Sequence, residues 1–98
     1  MANRGKLSYD DVKDILTVIC KDNMSQDELL IQIGDIQTHL KIEKDLEVTT
    51  QTIRNNGFRN RGYFTKKYPQ SCTYNDDKNS KYSGLVLDPE KFVEQVEG

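Results

Sequence analysis

Between Val48 and Asn75 the chain carries Arg54, Arg59, Arg61, Lys66 and Lys67 and no Asp or Glu, so five cations meet no carboxylate. Cations gathered this way attract and neutralise phosphate groups. The residues between them are hydrogen-bonding ones: Thr49, Thr50, Gln51, Thr52, Asn55, Asn56, Asn60, Tyr63, Thr65 and Tyr68. Hydroxyl and amide groups donate to phosphate oxygens, and Asn and Gln also pair with base edges. Gln51, Arg54 and Asn55 stand at i, i+3 and i+4, which on a helix is one outward patch. Ile53 then points about 100° away from Arg54 and is free to pack inward.

Both flanks have the opposite sign. Residues 1–47 hold six basic and ten acidic side chains, a net of -4, and residues 76–98 hold three and six, a net of -3. The overall charge of -2 therefore conceals a basic block between two acidic segments. Acidic flanks repel a polyanion from every face but one. The plainer reading of such a block is a solvated basic face without a ligand.

Other chemistry finds less support. His39 is the only histidine, and no cysteine stands near it in sequence; it reads as a packing residue on a helix. Cys20 and Cys72 match no metal-ligand spacing and form no disulfide framework, which points to a reducing, cytoplasmic setting. Asp76-Asp77 reads as a solvated turn, and Gly57 and Gly62 form neither GxGxxG nor a P-loop. Neither catalytic nor metal residues are expected, nor a cofactor, and the chain does not read as an enzyme. No apolar run approaches the roughly 18 residues of a membrane span. Met1-Ala2-Asn3-Arg4-Gly5-Lys6 is not followed by the apolar stretch of a signal peptide, so no membrane partner is expected.

Ninety-eight residues suffice for one domain, expected over 8–98 behind a flexible N-terminal arm, 1–7. Ser8 with Asp11 predicts a capped helix over about 8–22, with Val12, Ile15, Leu16 and Ile19 as its apolar stripe. Ser25 with Glu28 repeats the start signal, and the segment from Leu29 to Ile33 suits either a helical turn or a short strand. Asp35 is placed to cap a helix running to about Leu40 with Ile36, Leu40 and Ile42 inward, followed by a charged connection from Lys41 to Glu47. Thr49 or Thr50 caps the next helix, which Gly62 would stop. Tyr63-Phe64-Thr65, Ser71 to Tyr74 and Lys81 to Leu87 read as strands. Asp88-Pro89-Glu90 starts a last helix with Phe92, Val93 and Val96 on its apolar side. The stripes of the first and last helices are candidates for a two-fold interface.

This order resembles the winged helix-turn-helix fold, an α+β arrangement of three helices, a β-hairpin wing and a short C-terminal helix. Ile33-Gly34-Asp35-Ile36-Gln37-Thr38-His39-Leu40 looks like the supporting helix. Val48-Thr49-Thr50-Gln51-Thr52-Ile53-Arg54-Asn55 looks like the start of a recognition helix, and Gly62-Tyr63-Phe64 like the start of the wing. The likeness covers about residues 8–87 and implies a homodimer on double-stranded DNA. It implies base reading by Gln51, Arg54 and Asn55 from the N-terminal part of a helix over 50–61 in the major groove. Thr49 and Thr50 would donate to phosphate at the helix start, Arg59, Arg61, Lys66 and Lys67 would hold the backbone, and Lys78 and Lys81 would flank the wing tip. Such a protein would be a small transcriptional regulator, or a replication or segregation accessory such as a centromere-binding protein of a plasmid or phage. The same fold also serves as a protein-interaction module or a small phage-type inhibitor without DNA binding.

Overall fold

In the computed structural model, which describes residues 3–4, 7–55, 63–75 and 84–98, Ser8 caps the first helix as its spacing dictates. The Asp11 amide donates to Ser8 Oγ at 3.1 Å and the Ser8 amide donates to Asp11 Oδ2 at 3.2 Å, closing a reciprocal capping box. Helix α1 spans Tyr9–Lys21. Before it, β1 (Asn3–Arg4), inside the segment expected as an arm, pairs in parallel with β3 (Leu46–Glu47), and Leu7 is buried.

Asp22 to Ser25 is a turn, so Ser25 and Glu28 start no helix. Of the two readings of Leu29 to Ile33, the strand holds: β2 is Leu29–Ile31. Helix α2 covers Ile33–Lys44, starting earlier and ending later than its sequence suggests. Its cap is Gln32, whose amide donates to Asp35 Oδ2 at 3.0 Å, so Asp35 serves as the acid of the first turn rather than as the cap. Ile36 and Leu40 are fully buried, whereas Ile42, expected inward, is 71% exposed. Ile42 lies six residues after Ile36, about 240° around the helix and away from the core side. Asp45, at a left-handed φ of 49°, ends the helix and turns the chain into β3.

Helix α3 (Thr50–Ile53) follows, and then α4 (Tyr63–Lys67), a helix where the residue types suggest a strand. Tertiary packing overrides β-propensity there: Phe64 is fully buried, and the Tyr68 amide closes a helical bond to Phe64 O at 2.8 Å. Strands β4 (Cys72–Asn75) and β5 (Gly84–Leu87) complete an antiparallel three-stranded sheet of order β2-β5-β4. Its register aligns Leu29, Leu87 and Cys72, and then Ile31, Leu85 and Tyr74, on the core face. Asp88 caps α5 (Pro89–Glu97) by accepting the Lys91 amide at 3.1 Å, with Pro89 in the first turn.

The described elements thus form a small α+β domain of five helices and one three-stranded antiparallel sheet, with a short two-stranded ribbon beside it. Helices α1 and α5 pack on each other, tied at their ends by Lys21 and Glu97 at 2.7 Å. Val12, Ile15, Leu16, Ile19 and Phe92 are all buried in this way, and Val93 and Val96 are half-buried. The α1 stripe is therefore used by the chain's own core, while Val93 and Val96 of the α5 stripe keep part of their surface exposed. No described helix is long and apolar enough to cross a membrane.

Candidate nucleic-acid interface

Thr49 fixes the start of α3. Its Oγ1 accepts the Thr52 amide at 3.2 Å and its carbonyl accepts the Ile53 amide at 3.2 Å. One residue earlier, Gln37 Nε2 of α2 donates to Val48 O at 2.9 Å and holds the junction against the preceding helix. Ile53 is the buried anchor, with no exposed surface. With the inner side fixed, Thr49, Thr50, Gln51 and Asn55 are exposed and Arg54 is half-buried. The first-turn amides of Thr50 and Gln51 have no acceptor within a helix of this kind, so they point outward beside the Thr49 hydroxyl.

Gln51 and Asn55 meet: Gln51 Nε2 donates to Asn55 Oδ1 at 3.1 Å. Each amide keeps a further donor or lone pair for a ligand. At Arg54 and Asn55 the backbone widens into π-helical geometry, and the described helix does not continue as a regular α-helix beyond Ile53. The rest of the expected helix over 50–61, with Arg59 and Arg61, lies outside the described residues. So do Lys78, Lys81, Asp76-Asp77, Gly57 and Gly62.

Lys66 and Lys67 project from α4, both exposed. Lys67 Nζ donates to Tyr63 Oη at 3.2 Å, and this bond, with the nearby Tyr68 and Tyr63 hydroxyl groups, raises its pKa. Lys67 therefore stays cationic throughout the neutral range. Its ammonium lies 5.5 Å from the Tyr63 ring centre, so it sits beyond the hydroxyl rather than over the ring face.

Ion pairing divides the cations into two sets. Every lysine of α1 and α2 has a carboxylate: Lys13 with Asp10 at 3.3 Å, Lys41 with Glu47 at 3.5 Å, Lys21 with Glu97, and Lys44 with Asp11 and Asp14 at 3.3 and 2.9 Å. Arg54, Lys66 and Lys67 have none among the described residues. Exposed pairs add little stability, but they cancel the local field. Lys91 of α5 has no ion pair either, but it stands between Glu90 and Glu94 in sequence, whereas Arg54, Lys66 and Lys67 have no carboxylate close to them in sequence.

His39 is half-buried on α2. Its Nδ1 bonds the Asp35 carbonyl of its own helix at 2.9 Å, and since a carbonyl only accepts, the ring proton is on Nδ1. Cys20 and Cys72 are free and buried, and burial pushes both thiols up to about 12. No cluster of three or more metal-ligating side chains exists among the described residues.

Two features had no sequence signal. Tyr9, the first residue of α1, stacks on Tyr63 of α4, ring centres 3.8 Å apart and planes within 10°. A cleft of about 820 Å³ lies between α2 and the start of α3, lined by Gln37, Lys41, Ile42, Val48, Thr49 and Thr52 among others. No family model, curated protein or solved structure matches the chain.

Proposed function

We propose that the chain is a winged helix-turn-helix protein that binds double-stranded DNA sequence-specifically, as a regulator or as a replication or segregation accessory. The element order supports it: α1, a short strand, α2, β3 and α3, then β4 and β5, with the short strand hydrogen-bonded to β5; the additional helix α4 stands where the resemblance puts the start of the wing, Gly62-Tyr63-Phe64. In this reading α2 supports α3, and the connection from β4 to β5, with Lys78 and Lys81, is the wing. One observation carries the reading. A segment of 28 residues without a carboxylate carries, beside the buried Ile53, the exposed Gln51 and Asn55 and the half-buried Arg54.

Arginine reads guanine, and Gln or Asn reads adenine, through paired hydrogen bonds worth about 1–3 kcal/mol of discrimination each. Lys66, Lys67, Arg59 and Arg61 neutralise phosphate and set affinity without setting sequence. A homodimer would read two half-sites, through a contact other than the buried α1 stripe. The test is Arg54→Ala against Arg61→Ala on a duplex selected from a random pool and on random duplex. Arg54→Ala should weaken the selected site by about 5- to 150-fold and random duplex much less. Arg61→Ala should weaken both together. Identical behaviour of the two variants would make Arg54 a phosphate contact and displace the reading helix.

The cleft beside Ile42 favours a second reading, a protein-interaction module, because an isoleucine 71% exposed at the rim of an apolar depression suits a partner side chain. Binding that ignores salt and duplex would favour it.

A further inference from the structure

Five aromatic side chains form a continuous file from surface to core. Tyr9 stacks on Tyr63, Tyr63 meets Phe64 edge-on at 5.0 Å, Phe64 stacks on Tyr68 at 6.5 Å, and Tyr68 meets Phe92 at 5.1 Å. Phe64 and Phe92 are fully buried, while Tyr9 at the outer end is 40% exposed. The outermost ring is therefore backed by Tyr63, which is half-buried and rests edge-on against the fully buried Phe64. A ligand landing on it would not have to immobilise it first.

Charge around this end is favourable. Lys66 and Lys67 stand on α4 next to Tyr63 with no carboxylate partner among the described residues. The first-turn acids of α1 on the other side are already occupied, Asp10 by Lys13 and Asp11 by Lys44. Asp10 is near enough to Lys67 to be felt by it, but it is shared with Lys13.

We propose that Tyr9, backed by Tyr63 and flanked by Lys66 and Lys67, is a stacking site for an unpaired base of single-stranded nucleic acid. The base lies on the exposed Tyr9 ring, and the ammonium groups hold the adjoining phosphates. Stacking platforms of this kind combine aromatic faces with cations that follow the backbone and are tolerant of sequence. Paired bases cannot use the site, because their faces are covered by the stack of the duplex. The site is separate from α3 but shares Lys66 and Lys67 with the duplex reading above, and Tyr9 is what distinguishes the two.

The test is fluorescence anisotropy of labelled dT12 at low salt, compared with the same oligomer carrying abasic positions and with a matched duplex. Wild-type protein should bind dT12, and the abasic oligomer should bind about 5- to 150-fold more weakly, the range for loss of one stacked base. Tyr9→Leu should reproduce that loss on dT12 and leave abasic binding unchanged, while Tyr9→Phe retains wild-type affinity. Lys66→Gln with Lys67→Gln should weaken both oligomers together. Equal binding of dT12 and abasic oligomer by wild-type protein overturns the proposal without any variant, as does failure to bind dT12 at all. Duplex binding without dT12 binding refutes this site alone, and dT12 binding without duplex binding refutes the duplex reading alone.

Discussion

Replacing Ile53 with Ala tests whether α3 is held where its outward residues need it. The helix is four residues long, its one buried side chain is Ile53, and that side chain has no exposed surface. Removing three carbons forfeits about 2.4 kcal/mol of transfer free energy at about 0.8 per carbon. The cavity left behind brings the expected loss to about 2–5 kcal/mol, against about 0.5–1.5 for Ile53→Val. Total stability for a chain of this length is about 5–15 kcal/mol, so Ile53→Ala should remove a large share of it. Urea unfolding followed by circular dichroism measures the loss, with Ile42→Ala as the control. Ile42 is 71% exposed, and its replacement should change stability by no more than about 0.5 kcal/mol. A loss below about 1 kcal/mol for Ile53→Ala would mean that the core closes without α3, and the placement of Gln51 and Arg54 would fall with it.

Three further outcomes are expected. Gly84→Ala should lower the melting temperature clearly, because a Cβ there collides with the carbonyl oxygen of Ile31 across the sheet; an unchanged melting curve would contradict the β2–β5 register. Cys20 and Cys72, buried and with thiols pushed up to about 12, should react with a disulfide reagent in denaturant but not in the native protein at neutral pH; rapid native labelling would show that the α1–sheet packing opens. Burial raises the pKa of Asp11, but the bonds from Ser8 and Lys44 outweigh it and hold the carboxyl below its ordinary 3.8. A depressed folded pKa stabilises above the unfolded value and is lost as pH falls through the folded one, so wild type should lose stability faster than Asp11→Asn between about pH 5 and 3. Parallel slopes would deny the capping box its electrostatic part.

What the sequence reveals and what it hides divides along local and tertiary causes. The starts of α1 and α5 are legible because Ser8–Asp11 and Asp88-Pro89 act within one turn. Thr49 and Ile53 are legible for the same reason, and with them the outward position of Gln51 and Asn55. Ile42 misleads because it stands close in sequence to Ile36 and Leu40, although its angle around α2 turns it away from both. Tyr63-Phe64-Thr65 misleads because β-propensity competes with the burial of Phe64, and only the folded core decides. The stripe on α1 is a true apolar face, but its partner is α5 of the same chain, and periodicity does not reveal packing between segments so far apart. Neither does it reveal the stack of Tyr9 on Tyr63.

The central claim is that the uncompensated cations of the carboxylate-free block bind duplex DNA. Its most direct measurement is the affinity for random duplex as a function of salt, for wild type and for a variant with Arg59, Arg61, Lys66 and Lys67 all replaced by Ala. For wild type, log affinity should fall steeply and linearly with log salt, and in the variant the slope should be shallower by about one for each phosphate no longer neutralised. An unchanged slope would place any DNA surface outside the block, and an absence of salt-dependent binding by wild type would mean that these cations do not bind duplex DNA.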